Sequence, residues 1–109
     1  MSNLELNISR AEILSRAEAM VPVLQERARE AELARCVPEQ TDQEFRDAGF
    51  YRILQPAKFG GLELDFGTQT ELGVILSSGC ASSGWVAAVT ACHGWLLGMF
   101  PPKAQEDVW

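Results

Sequence analysis

Apolar positions recur at three- and four-residue steps through Ile13, Ala17, Met20, Leu24, Ala28 and Ala31, and Arg and Glu fill most positions between them. That spacing predicts one amphipathic helix over residues 8–35. Asn7 or Ser9 can cap it, and Glu12, three residues after Ser9, completes a capping box. Pro22 falls inside the pattern, removes one backbone donor and should kink or split the helix near Val21. The stripe is Ala-rich and lacks sustained heptads, which excludes a coiled coil. Val37-Pro38 ends the segment. A second helix, 39–48, follows, with Phe45 and Ala48 facing inward and Gly49 as a left-handed stop.

Phe50 to Leu54 is an apolar connection open to an extended conformation. Gln55 to Leu62 reads as a turn, in which Gly60 and Gly61 permit positive φ or a close backbone approach. Gly67 and Thr68 open a third helix, with Thr68 as cap and Glu71 three residues on; Leu72, Ile75, Leu76 and Gly79 form its apolar face. The small residues 77–84 (SSGCASSG) predict a break. Ser82 or Ser83 can cap a fourth helix, 84–99, with Trp85, Ala88, Val89, Cys92 and Leu96 as its packing face. Phe100-Pro101-Pro102 ends it, and Lys103 to Trp109 reads as the first turns of a fifth helix cut off in its course. With about five helices and no convincing strand, the fold class is all-α.

Charge sharpens this picture. The 109 residues fit one small domain. They carry a formal net charge of −6, with 22% charged and 47% hydrophobic residues. An acidic globular chain argues against nucleic acid as a partner. Residues 72–100 contain no Asp, Glu, Lys or Arg, so that stretch must face protein, ligand or membrane. Its most apolar run, Trp85 to Phe100, has sixteen residues. This is short of the roughly 18 needed to span a bilayer, and it contains His93, Gly94 and Gly98. A buried helix and no membrane association are expected. Cys36, Cys80 and Cys92 form an odd set without CxxC spacing, which suits reduced thiols in the cytoplasm and neither a disulfide framework nor a metal site. The N-terminus has no apolar secretory core.

No phosphate-loop, zinc-protease or nucleophile-elbow motif is present. Gly60-Gly61 lacks the strand–loop–helix setting of a phosphate cradle and reads as a turn. His93, the single histidine, lies in the most apolar helix. Trp85 is eight positions earlier, about 12 Å along the axis and rotated roughly 80° at ideal helical pitch, so the two share one general side. As structure alone, His93 is a core histidine bonded to a backbone carbonyl and Trp85 is core filler. As chemistry, they are a hydrogen-bonding group and an aromatic wall. Trp95 points elsewhere and reads as packing.

Several segments carry a resemblance. Arg35-Cys36-Val37-Pro38-Glu39, the run Phe45 to Pro56, and Phe59-Gly60-Gly61-Leu62-Glu63-Leu64 resemble the N-terminal helical domain of the acyl-CoA dehydrogenase superfamily. Gly79 to Val86, His93-Gly94-Trp95 and Phe100 with Ala104 to Trp109 resemble its oxygenase branch. That branch comprises the oxygenase components of two-component aromatic monooxygenases, of the 4-hydroxyphenylacetate and 3-hydroxy-9,10-secosteroid hydroxylase type. The resemblance covers essentially the whole chain.

It implies an orthogonal helical N-terminal domain over 1–109, with a middle β-domain and a C-terminal helical bundle absent from this polypeptide, which alone would be inactive. It implies reduced flavin (FMNH2 rather than FADH2) delivered by a separate flavin reductase, with O2 forming a C4a-hydroperoxide that hydroxylates a small aromatic substrate. Trp85 would lie against the flavin and His93 near the substrate. No metal is implied, and the full-length family members suggest a homo-tetramer. Two alternatives stay open: an acyl-CoA dehydrogenase using FAD, and a non-enzymatic helical interaction module.

Overall fold

The computed structural model describes residues 7–109. Five helices follow in order: α1 (Arg10–Ala34), α2 (Glu39–Ala48), α3 (Phe66–Gly79), α4 (Ala81–Leu97) and α5 (Pro102–Val108). Two short 3-10 turns lie between α2 and α3, and no strand occurs among the described residues. The all-α expectation is met.

Ser9 caps α1: its Oγ accepts from the Glu12 N–H at 3.1 Å. The capping box is only half formed, because the Glu12 carboxylate takes the Arg16 guanidinium at 3.0 Å instead. The predicted split at Pro22 is absent; α1 is one element. Pro22 and Glu18, whose carbonyl it leaves without a donor, both lie on the exposed face, where water can satisfy that oxygen. Ile13, Ala17, Leu24 and Ala31 are buried as the stripe requires.

Gly49 ends α2 at φ 87°, the left-handed stop that sequence predicts. Phe45, fully buried, packs against Phe50 with ring centroids 5.5 Å apart. The connection after Gly49 is a 3-10 turn (Phe50–Arg52) and not extended chain. The tighter path lets Phe50 and Ile53 both reach the core beside Phe45. Gly60 closes the next turn at φ 88°. A Cβ on Gly61 would run into the Gln55 carbonyl, so the close approach anticipated for the glycine pair is real.

The second half departs further from expectation. Asp65, not Thr68, caps α3: its Oδ1 accepts from the Thr68 N–H at 2.8 Å and from the Thr68 hydroxyl at 2.6 Å. Thr68 is buried inside the first turn. The predicted break over 77–84 shrinks to Cys80, a single extended residue with φ −154°, and α4 starts at Ala81, not Gly84. Neither Ser82 nor Ser83 is the cap residue; Cys80 is.

α3 and α4 then fold back as an antiparallel hairpin. Ser77 faces Gly84, Gly73 faces Ala88, and the Gln69 side chain donates to the Ala88 carbonyl at 2.9 Å. On its other side α3 packs along α1, where a Cβ on Gly79 would come 2.8 Å from the Val21 carbonyl oxygen and 2.9 Å from Leu24 Cβ. α3 is therefore the central helix of an α1–α3–α4 layer. Gln105 ties α5 to the end of α4 by donating to the Gly98 and Phe100 carbonyls at 3.0 and 2.7 Å.

Which side of α4 is inside is the main correction. The buried residues are Ser83, Gly84, Ala87 and Ala91, not the stripe of Trp85, Ala88, Val89, Cys92 and Leu96. Small side chains let the helix axes approach closely, so α4 buries its Gly/Ala/Ser face and turns its large apolar side chains outward. Trp85, Trp95, Leu96, Met99 and Phe100 are all exposed, as is Val74 on α3.

Candidate functional site

Trp85 stands in the second turn of α4 with 68% of its surface exposed, a large amount for an indole on a well-formed helix. The core-filler reading therefore fails. A cleft lies on either side of it. One, of about 650 Å³, runs between the end of α1 and the start of α4 and includes Ala28, Arg35, Cys80, Ser82 and Val86. The other, of about 630 Å³, follows the α3–α4 groove past Gly73, Val74, Ser77 and Ala88. The indole forms part of the wall of both, and apolar atoms dominate the lining.

His93 is two turns along and faces solvent. Its Nδ1 lies 2.7 Å from the Val89 carbonyl oxygen, one helical turn back. A carbonyl can only accept, so Nδ1 is the donor, which in the neutral ring leaves the lone pair on Nε2. The backbone bond expected of a structural histidine is present, and the burial expected of one is not. His93 belongs to a third cleft, of about 380 Å³, which Trp85 does not line. Within this chain the two residues share a helix and not a cavity. Trp95 meets Phe66 edge-on at 5.5 Å but keeps 43% of its surface exposed, so it packs only in part.

The structure adds groups that sequence reasoning missed. In the His93 cleft stand Arg46 and Tyr51. Tyr51 donates to Asp42 Oδ1 at 2.7 Å, Arg46 Nε donates to Asp42 Oδ2 at 2.9 Å, and the Arg46 guanidinium lies 5.4 Å over the Tyr51 ring. The Tyr51 hydrogen bond, then Arg46, hold the Asp42 carboxyl below the usual carboxylate range. Burial, then the bond to Asp42, push the Tyr51 phenol well above its ordinary value. The i,i+4 spacing of Asp42 and Arg46 was readable; the arrival of Tyr51 above them was not. At the start of α4, burial pushes the Cys80 thiol up, but hydrogen bonds from Ser82 and Ser83 outweigh it and leave the thiol below its ordinary range. No cluster of potential metal ligands occurs among the described residues, and no described helix is long and apolar enough to cross a membrane.

No protein-family model matches the chain. Individual proteins do. The oxygenase subunit HsaA of a flavin-dependent monooxygenase from Rhodococcus jostii RHA1 is 38% identical over 88% of this chain and 25% of its own. The oxygenase component of an FADH(2)-dependent resorcinol hydroxylase from Rhizobium sp. MTP-10005 is 39% identical over 89% of this chain and 24% of its own. The crystal structure of the HsaA monooxygenase from Mycobacterium tuberculosis superposes with a TM-score of 0.89 at 35% identity, covering 93% of this chain and 28% of that one. The chain thus spans about a quarter of the length of the relatives it matches. In sequence and in fold alike, it is a relative of the oxygenase components of flavin-dependent aromatic monooxygenases.

Proposed function

We propose that this chain forms the flavin- and substrate-facing helical wall of an oxygenase that hydroxylates a small aromatic compound. The observation that carries the reading is the orientation of α4, which buries its small residues and presents Trp85 and His93 outward. A helix that faces only its own core would do the reverse. The remaining three quarters of the relatives' length supply the rest of the catalytic unit in this reading: a middle β-domain and a C-terminal bundle, assembled as a tetramer. The unit works in the cytoplasm with a separate reductase.

A flat aromatic cofactor fits what the chain offers at Trp85. The exposed indole stands between two mainly apolar clefts. When bound, reduced flavin supplies the electrons with which O2 is activated. Trp85 covers part of the ring system and keeps water from it. His93 acts on the substrate. With Nδ1–H anchored on the Val89 carbonyl, Nε2 accepts the hydrogen bond of a phenol O–H. It draws that proton toward itself as the ring is attacked, which raises electron density at the carbon beside the hydroxyl. FMNH2 is the expected flavin, while one relative is described as FADH(2)-dependent; the test must include both.

That test is an anaerobic titration of the chain with FMNH2 and with FADH2, read by tryptophan fluorescence in the parent and in Trp85→Phe. One wall buries only part of an isoalloxazine, so affinity should be on the order of micromolar or weaker and the response should depend on Trp85. A response that is unchanged in Trp85→Phe, or none at either flavin's solubility limit, refutes the reading.

A further inference from the structure

A glycine inside a helix is required where φ is positive or where a neighbour stands too close for a Cβ. Close packing accounts for Gly73, Gly79 and Gly84. A Cβ would come 3.3 Å from Ala88 Cβ at the first, 2.8 Å from the Val21 carbonyl oxygen at the second and 2.6 Å from the Ser77 nitrogen at the third. Neither reason holds at Gly94, in the last turn of α4. Its φ is not positive. An added Cβ would have one neighbour within 4 Å, the Gln55 nitrogen at 3.9 Å, which is an ordinary contact. Alanine would fit there and would stabilise the helix, so nothing within this chain calls for a glycine. What the missing side chain leaves open is the His93 cleft, of about 380 Å³. Gly94 lines it together with His93, with Thr90 and Leu97 one turn to either side on the same helix. A cleft of this volume is at the small end of ligand pockets, where the bulk of one methyl group is felt by the occupant.

We infer that Gly94 is a specificity-determining residue: it leaves α4 bare beside His93, so that the ring of the ligand lies directly against the helix backbone. The inference rests on the proposed reading in one respect, that His93 faces the substrate. It adds which position on α4 sets the bulk that the cleft admits. Any side chain at 94 would stand in the space beside the imidazole and displace the ring from it.

The experiment needs no flavin. The chain, Gly94→Ala and the control Gly67→Ala are titrated with phenol and with the wider 2-naphthol, and the imidazole C–H resonances are followed by NMR. His93 is the single histidine, so those resonances identify themselves. Gly67 has no neighbour closer than 3.7 Å and lies on the exposed first turn of α3, away from the cleft. Gly94→Ala should fold with a higher urea midpoint than the parent. It should nevertheless bind phenol roughly tenfold or more weakly, the effect of one methyl-sized group on fit in a pocket, and lose more of its affinity for 2-naphthol. Gly67→Ala should bind both probes as the parent does. Phenol affinity unchanged in Gly94→Ala, a loss no larger for 2-naphthol, an equal loss in Gly67→Ala, or a lower urea midpoint for Gly94→Ala would each overturn the inference. Its failure is separable from that of the proposed function. Resonances that move alike in the parent and in Gly94→Ala remove the role of Gly94 and leave the oxygenase reading standing. Resonances that move for neither probe in the parent take His93 off the substrate side and overturn both.

Discussion

A Cβ placed on Gly84 would stand 2.6 Å from the backbone nitrogen of Ser77 and 2.7 Å from its Cα. This contact sets the spacing of α3 and α4, and with it the direction in which Trp85 and His93 point. Helix propensity alone would make Gly84→Ala stabilising by about 1 kcal/mol. Overlap with backbone cannot be relieved by a rotamer change, so the net effect should be a loss of about 1–3 kcal/mol. Gly67→Ala is the matched control. It lies in the first turn of α3 with only Asp65 Oδ1 within reach, at 3.7 Å, and should be neutral or gain about 0.5 kcal/mol. Urea unfolding of both variants measures the difference. A stable Gly84→Ala would mean that the hairpin can open without cost and that α4 is not locked in this orientation.

Trp85 and Phe45 should answer truncation in opposite ways. Phe45 is fully buried, and Phe45→Ala should cost about 3–5 kcal/mol. Trp85 is 68% exposed, and Trp85→Ala should stay within about 0.5 kcal/mol of the parent. Thermal and urea unfolding decide between them. A loss of several kcal/mol at Trp85 would show that the indole is packed in solution and has no free face to offer a cofactor.

Signals local in sequence were legible; those that depend on a partner element were not. The α1 stripe, the Ser9 cap and the Gly49 stop each depend on a few neighbouring residues, and each was readable. The face of α4 was misread because periodicity follows large side chains, whereas this helix packs through Gly84, Ala87 and Ala91. A helix buried by its small residues looks inverted to a hydrophobicity pattern. Asp65 and Thr68 both suit a cap, and only the start of α3 at Phe66 chooses between them. His93 stood out as the single histidine, with Trp85 on the same general side of its helix; the roles expected of them came only from the family resemblance, since periodicity alone would have buried Trp85. Arg46 and Tyr51 were missed because the 3-10 turn Phe50–Arg52 carries Tyr51 back over α2, and α4 completes the cleft from distant sequence.

The outward side of the α3–α4 hairpin should bind a hydrophobic dye. Val74, Trp85, Leu96, Met99 and Phe100 are each more than a third exposed, and the charge-free stretch 72–100 offers nothing to break up the surface. The chain should raise the fluorescence of such a dye under native conditions while its circular dichroism stays helical. Replacing Trp85 and Met99 together by Gln should reduce the signal without loss of helix. A dye-silent, cooperative monomer would point instead to a self-sufficient module.

The Asp42–Tyr51 pair should make stability fall at both ends of the pH range. Asp42 is held below the usual carboxylate range by the Tyr51 hydroxyl first and by Arg46 second. Its contribution is therefore fully present above the unfolded value of about 3.9 and is lost as pH drops through the lower folded value. Tyr51 is raised, by burial first and by Asp42 second. Its contribution is present below the unfolded value of about 10 and fades as pH climbs past it. Tyr51→Phe isolates the hydroxyl, because the ring keeps its edge contact with Phe45 at 6.1 Å. A hydrogen bond to a charged group is worth more than a neutral one. Asp42 is 38% exposed, however, so solvent screening brings the expected loss at pH 7 to about 1 kcal/mol. The parent and Tyr51→Phe curves should converge at the acid end, once Asp42 is neutral in both. They should converge again toward the alkaline end, where the parent alone pays to keep its phenol protonated. Urea unfolding from pH 2.5 to 11 reads both limbs. A difference between parent and variant that stays constant across that range would show that the hydroxyl stabilises the fold without coupling to either titration.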